Sequence, residues 1–293
     1  MLDPHNFWPP RNFAALDAEL SAFETARFVV LPCPYDSTTT WRVGTRSGPE
    51  AIIAASMNME LWEREVGREI ALAGIHTTSD IEPHMDGPQA MAARIEEVVG
   101  QVLDARKIPV LLGGEHSLSL GGIAALAKRS EGVTVVQIDA HTDLRDEYAG
   151  TRYGHGCVMR RASELPGVRI VQIGLRSASR EEIEEKPDNV AQFWADDILH
   201  DFPAQLPAIA SSIRGDVYLT FDVDGCDPSW MPDTGTPEPG GLSFYQVRDL
   251  LRAVCTKSDV RVRALDCVEL IGGHDASAFA VARLLYKTMG YVG

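Results

Sequence analysis

Short, mostly apolar runs recur along the chain, separated by longer stretches with helical spacing. Residues 28–31, 109–112, 133–138, 168–173, 217–221 and 260–265 each read as a strand. A run that is apolar at every position, not only at alternate ones, belongs to a strand buried on both faces. Residues 118–128 and 276–289 read as helices, the second closing the chain. Strands alternating with helices predict an α/β fold with a mostly parallel sheet and crossover helices. Residues 34–49, rich in Thr, Ser, Arg and Gly, read as a loop, and so do the proline- and glycine-rich residues 228–241. No internal repeat, low-complexity tract or linker-like break interrupts the pattern, so residues 1–293 are expected to form one domain.

Three motifs stand where predicted strands end. They are Gly113-Gly114-Glu115-His116-Ser117, Asp139-Ala140-His141-Thr142-Asp143 and Asp222-Val223-Asp224. In open parallel sheets ligands bind beyond the carboxyl ends of the strands, so topology and chemistry point to one place. Residues two apart in an extended segment share a face. On that basis Asp139, His141 and Asp143 converge, Asp222 and Asp224 do the same, and His116 approaches from a third strand. Taken singly, the motifs have bland readings: a helix cap or solvated turn for the last, a hydrogen-bonded core histidine for His116. Taken together, they would bury four carboxylates side by side, which is severely unfavourable without cations. Two histidines and four aspartates suffice for two divalent ions with shared carboxylates, and such a pair makes hydroxide from water near neutral pH. Aspartate and imidazole suit manganese and related ions. The lack of cysteine ligands weighs against structural zinc. The chain is expected to be a metallohydrolase.

Composition narrows the setting. Hydrophobic content of 45% and charged content of 24% are those of an ordinary soluble protein. No apolar run approaches the length that spans a bilayer, and Met1-Leu2-Asp3-Pro4-His5 shows no basic-then-apolar signal pattern. Five widely spaced cysteines without a Cys-x-x-Cys pair argue against a disulfide framework and fit a cytoplasmic location. Cys157 reads as a small buried filler. The net charge of −15 argues against a nucleic-acid partner. It serves solubility, or it favours a small cationic substrate through the overall field.

The combination of these motifs, with Phe221-Asp222-Val223-Asp224-Gly225-Cys226-Asp227-Pro228, resembles the ureohydrolase family of arginase, agmatinase and related guanidino hydrolases. The resemblance starts at Pro34-Tyr35-Asp36-Ser37 and Gly48-Pro49-Glu50-Ala51-Ile52 and runs to Leu265-Asp266-Cys267-Val268-Glu269. It implies a three-layer α/β/α fold and a binuclear Mn2+ centre. His116 and Asp143 would bind one ion and His141 and Asp224 the other, with Asp139 and Asp222 bridging both. The shared hydroxide would attack the guanidinium carbon, and the tetrahedral intermediate would collapse to urea and an amine. Glu269 matches the position that holds the guanidinium by charge-assisted hydrogen bonds; otherwise it is a surface carboxylate. His155, in Arg152-Tyr153-Gly154-His155-Gly156, matches the proton-shuttling histidine, a role that suits imidazole; otherwise it is a solvated loop histidine. The family is commonly a trimer or a dimer of trimers, so a homo-oligomer is expected.

Within the family, Asp143-Leu144-Arg145-Asp146-Glu147-Tyr148-Ala149-Gly150 and Gly174-Leu175-Arg176-Ser177 are most similar to agmatinases and depart from arginases. Agmatine, giving putrescine and urea, is therefore the first expectation. Asp146, Glu147, Asp233 and Glu238 are candidates for its distal ammonium, solvated loop charge being the alternative for each. Arg145 and Arg152 leave open a guanidino acid such as guanidinobutyrate. Three other classes are weighed. Deacetylases that share this fold use one catalytic metal, which the complete six-residue set argues against. A binding protein with a silent site would bind metal without turnover, and a two-metal phosphoesterase would answer to a phosphatase assay.

Overall fold

A computed structural model describes residues 8–273 and 275–292. Residues 1–7, on which the expectation about a secretory signal rests, lie outside the described residues, as do His274 and Gly293. Ten strands follow in chain order: β1 (Phe28–Pro32), β2 (Trp62–Glu63), β3 (Arg68–Glu69), β4 (Ile75–Thr77), β5 (Ile108–Leu112), β6 (Val133–Ile138), β7 (Val168–Leu175), β8 (Val190–Trp194), β9 (Gly215–Asp222) and β10 (Val260–Val268). The short β2 and β3 pair antiparallel with each other. The other eight form one sheet in the order β4-β1-β5-β10-β9-β6-β7-β8, and every neighbouring pair is parallel. All six expected strands are present within it.

Alternate side chains of the strands enter two apolar layers, as the pleat requires. Phe28, Val30, Val110, Leu112, Val136 and Ile138 face one layer. The helices Gly48–Ser56, Phe202–Ser211, Phe244–Cys255 and Asp275–Val292 cover it, supplying Ile52, Ile209, Leu251 and Leu285. Val29, Leu31, Leu111, Val133 and Val135 face the other. Pro88–Asp104, Ser119–Ala127 and Val158–Ser163 cover that side, with Ile95, Ile123 and Met159. The result is the three-layer arrangement expected of a parallel sheet. Local signals set the helix ends. Pro88 occupies the first turn of its helix, where its missing N–H is no loss. Ser243 accepts from the Gln246 amide while the Gln246 side chain returns to the Ser243 amide, a reciprocal cap.

β5, β10, β9 and β6 are consecutive in the sheet, and their carboxyl ends lead into the three motifs and Glu269. Backbone bonds lock this edge. Gly113 N–H donates to the Cys267 carbonyl (2.8 Å), Gly114 N–H to that of Cys33 (3.1 Å), and Glu269 N–H to that of Gly114 (2.7 Å). Gly114 is required by this closeness: a Cβ there would lie 1.9 Å from the Tyr35 carbonyl oxygen. That neighbour is backbone and cannot swing away. Gly114→Ala is therefore expected to lower stability by about 1–3 kcal/mol, the usual effect of forced overpacking. Chemical denaturation at fixed protein concentration measures it, and an unchanged midpoint would contradict the close approach.

Candidate metal centre

The six residues singled out as ligands converge, but not by extended-chain alternation. Asp139 follows β6 directly, while Asp143 takes a left-handed backbone (φ 53°). Asp222 ends β9, and Asp224 sits in a 3-10 turn, its N–H donating to Asp222 Oδ1 at 2.9 Å. Glu269, after β10, is also left-handed (φ 66°). Such conformations in non-glycine residues are unfavourable and gather where the surroundings hold them for function.

His116 Nδ1 is the centre of one group. It lies 2.9 Å from Asp143 Oδ2, 3.1 Å from Asp139 Oδ2 and 3.3 Å from Asp222 Oδ2. Nevertheless it is a buried nitrogen without a hydrogen-bond partner. The three oxygens crowd the nitrogen without hydrogen-bonding geometry to it, an arrangement that a cation among them would satisfy. On the far side of the ring, Nε2 lies 3.0 Å from Thr220 Oγ1. If Nε2 is the proton-bearing nitrogen there, Nδ1 keeps its lone pair, the tautomer a ligand needs. In the second group His141 Nδ1 lies 3.0 Å from Asp224 Oδ2 and 3.7 Å from Asp139 Oδ1. Asp139 thus turns one oxygen to each histidine. Two sets have atoms close enough to hold a cation: His116 with Asp139 and Asp222, and Asp139 with His141 and Asp224. Asp143 falls outside both sets, although its carboxylate is the nearest to His116.

The electrostatics follow from crowding carboxylates in a buried place. Burial opposes the charged His141 ring, but Asp224 and Asp139 outweigh it and push the ring up to about 12. The same contest, with Asp139, Asp143 and Asp222, raises His116 well above its ordinary value. Burial and then Asp139 raise the Asp143 carboxyl to about 7, with His116 opposing. Burial, Asp224 and Asp139 raise Asp222 well above the carboxylate range. Protons on the two rings and on the Asp222 carboxyl are therefore favoured in the metal-free protein.

A ladder of amides supports Asp139 from behind. Gln192 Nε2 donates to Gln172 Oε1 (2.9 Å), Gln172 Nε2 to Gln137 Oε1 (2.6 Å), and Gln137 Nε2 to Asp139 Oδ2 (2.6 Å). The three glutamines lie in register across β8, β7 and β6. On the opposite flank Arg176 donates to the carbonyls of Asp224 (2.6 Å) and Glu238 (2.7 Å), tying the loop after β9 to the end of β7.

The groups open onto a cavity of ≈ 270 Å³ whose wall includes His116, His141, Asp143, His155, Asp222, Asp224 and Glu269. Asp139 is fully buried beneath it. Glu269 Oε1 accepts the His116 N–H at 2.7 Å, and Gly235 stands beside Oε2, where even a Cβ would remain 3.7 Å away. Burial drives the Glu269 carboxyl well above its ordinary range, the His116 N–H opposing; an incoming cation would reverse that. Burial also lowers the His155 ring, although Glu115 opposes it. Of the residues considered for the distal end of a substrate, Arg145 lines the cavity, and Arg152, Asp146, Glu147, Asp233 and Glu238 do not. Asp146 is taken up by Arg152 (2.7 Å) and Arg161 (2.5 Å). Sequence reading passed over Thr38, Glu115, Gln137 and Glu182, all hydrogen-bonded around the site. Polar Gln137 and Gln172 inside apolar strands were the one signal available.

A profile of the Arginase family matches residues 26–290. The chain belongs to the arginase family. An N(1)-aminopropylagmatine ureohydrolase of Synechocystis sp. is 37% identical, covering 100% of this chain and 98% of that protein. An agmatinase of Pyrococcus horikoshii is 32% identical over 95% of this chain and 97% of that one. The crystal structure of an agmatine ureohydrolase of Thermoplasma volcanium superposes with a TM-score of 0.87 at 32% identity, covering 98% and 96% of the two chains. The protein is accordingly a hydrolase of the ureohydrolase type with the arginase fold, as its motifs imply. Among the described residues no helix is long and apolar enough to cross a membrane.

Because ligand nitrogens must be unprotonated to bind a metal, cation binding has to expel the ring protons. Adding Mn2+ to metal-free protein at pH 8 is expected to release on the order of two to three protons per chain, from the two rings and Asp222. Calorimetry in buffers of different ionisation enthalpy reads this number, and binding without proton release would contradict the assignment of the rings.

Proposed function

We propose that the protein hydrolyses agmatine: water adds to the guanidinium carbon, the bond to the alkyl-bearing nitrogen breaks, and urea and putrescine leave. The observation that carries this reading is the opening of both candidate cation groups, Glu269 and His155 onto one cavity. The donor set is carboxylate and imidazole, with no cysteine in either group, which suits Mn2+. His116 with Asp143, and His141 with Asp224, would hold one ion each. Asp139 would bridge, its two oxygens facing the two rings. Asp222 is the second bridging candidate, with Oδ1 already accepting from Asp224 N–H. A pair of divalent cations supplies Lewis acidity that makes hydroxide available near neutral pH. Glu269 Oε2 would fix the guanidinium by a charge-assisted hydrogen bond, and the buried carboxylate gains its counter-charge in doing so. His155 would carry the proton to the departing amine.

The agmatinase that is 32% identical supports a cationic tail on the substrate. With Asp143, Asp222 and Asp224 committed to cations, the cavity wall keeps the carboxylates of Glu182 and Glu269 beside the guanidinium groups of Arg42 and Arg145. Both arginines are engaged: Arg145 lies over the Tyr148 ring (4.6 Å) and 3.7 Å from Glu182, and Arg42 lies over Trp41 (5.1 Å) and donates to the Pro232 carbonyl (3.3 Å). An N1-aminopropyl-substituted agmatine is the second reading, favoured by the 37% and 36% identical relatives that bear that name.

Urea release by Mn2+-loaded protein on agmatine, N1-aminopropylagmatine, arginine and guanidinobutyrate tests the reading. The two agmatines are expected to exceed the two acids by at least about tenfold in kcat/KM, the scale of a single mispaired polar group; preference for an acid would contradict it. Glu269→Gln, which removes the counter-charge, is expected to lower kcat/KM by about 10- to 100-fold with bound metal unchanged. Wild-type kinetics in that variant would remove the role given to Glu269.

A further inference from the structure

Glu115 belongs to the first metal-bearing motif, yet none of the chemistry above uses it. It is fully buried and takes donors on both oxygens. Oε2 accepts the backbone N–H groups of Ser37 and Thr38, each at 2.6 Å. Oε1 accepts the Ser117 hydroxyl at 2.5 Å and the Thr38 hydroxyl at 2.8 Å. Thr38 Oγ1 in turn lies 3.1 Å from the His155 N–H and 3.1 Å from His155 Nδ1.

Donor counting settles the direction of these bonds. A hydroxyl has one proton to give and two lone pairs to offer. The Thr38 proton goes to Glu115, the shorter contact and the acceptor that makes a charge-assisted bond. One lone pair is used by the His155 backbone N–H. The other can only accept, so Nδ1 must bring a proton to it. In the neutral ring the remaining nitrogen, Nε2 on the opposite side, then carries the lone pair. The edge of the ring is further set by Tyr148, whose ring meets it at 86° with centroids 6.0 Å apart.

We propose that Thr38, oriented by Glu115, is a positioning residue that fixes the Nδ1–H tautomer of His155 and leaves Nε2 as its proton-exchanging atom. This inference rests on the reading of His155 as the proton carrier. It assigns a function to Thr38, in the loop between residues 34 and 49, and to the glutamate of the Gly-Gly-Glu-His-Ser motif. Thr38→Val keeps the side-chain shape, and the loop keeps both backbone bonds to Glu115 Oε2. Thr38→Ser keeps the hydroxyl.

The experiment measures kcat, KM and bound metal for wild type, Thr38→Val, Thr38→Ser, His155→Asn and the Thr38→Val/His155→Asn pair, on whichever of the four guanidino compounds releases urea fastest. Thr38→Val is expected to lower kcat by about 10- to 100-fold, within the range that general acid–base catalysis supplies, with KM and metal content unchanged and Thr38→Ser close to wild type. In the His155→Asn background the valine is expected to have no further effect, because coupled residues are not additive. An equal loss in both backgrounds would show that Thr38 acts through the loop, and would overturn the inference. So would a wild-type rate for Thr38→Val beside a slow His155→Asn, which leaves the reading of His155 standing. A wild-type rate for His155→Asn, or no urea from any compound, removes that reading and the inference with it.

Discussion

Four buried aspartates gathered around two histidines dominate the physics of this protein. Asp139, Asp143, Asp222 and Asp224 are each less than a tenth exposed. Taking even one carboxylate out of water costs on the order of several kcal/mol after relaxation, and like charges in contact add to it. The cluster is tolerable only if its charge is offset or protonated. Without metal, the surroundings favour protons on the His116 and His141 rings and on the Asp222 carboxyl. Divalent cations would replace those protons with more charge in the same place. Stability of the site and its capacity for chemistry are therefore one property.

The rest of the fold makes that arrangement possible. Four consecutive strands of an all-parallel sheet, β5, β10, β9 and β6, bring their carboxyl ends to one edge. Glycine at 114 lets the loop carrying His116 press against the Tyr35 carbonyl. Glycine at 225 does likewise against Asp139, where a Cβ would meet the backbone nitrogen at 2.8 Å. Behind the aspartates the core is not uniformly apolar: the ladder Gln192, Gln172, Gln137 delivers an amide N–H to Asp139 through three buried or half-buried side chains. Satisfied networks of this kind hold geometry, since any unpaired member would be unfavourable.

Much of this was legible from residue order. β6 and β9 are mostly apolar runs that lead directly to an aspartate, so their burial, direction and chemistry are written together. β4 was not legible, being three residues long at the sheet edge, and β8 carries polar Gln192 and is only half buried. β10 is interrupted by Arg261 and Arg263 and by an irregularity between Val262 and Ala264, which hides its extension to Val268. The left-handed backbone of Asp143 and Glu269 leaves no mark in sequence, because neither is glycine. The alternation rule therefore gave the right convergence for the wrong local reason. The contact of Thr38 with Glu115 joins positions 77 residues apart, and only the folded sheet brings them together.

The central claim is that Asp139 lies between two cations, one at each histidine. Anomalous diffraction from crystals of the Mn2+-loaded protein tests it directly. The account predicts two peaks about 3.5–4 Å apart, the spacing of a two-metal site, one beside His116 Nδ1 and one beside His141 Nδ1. A single peak, or a pair that does not share Asp139, would contradict it.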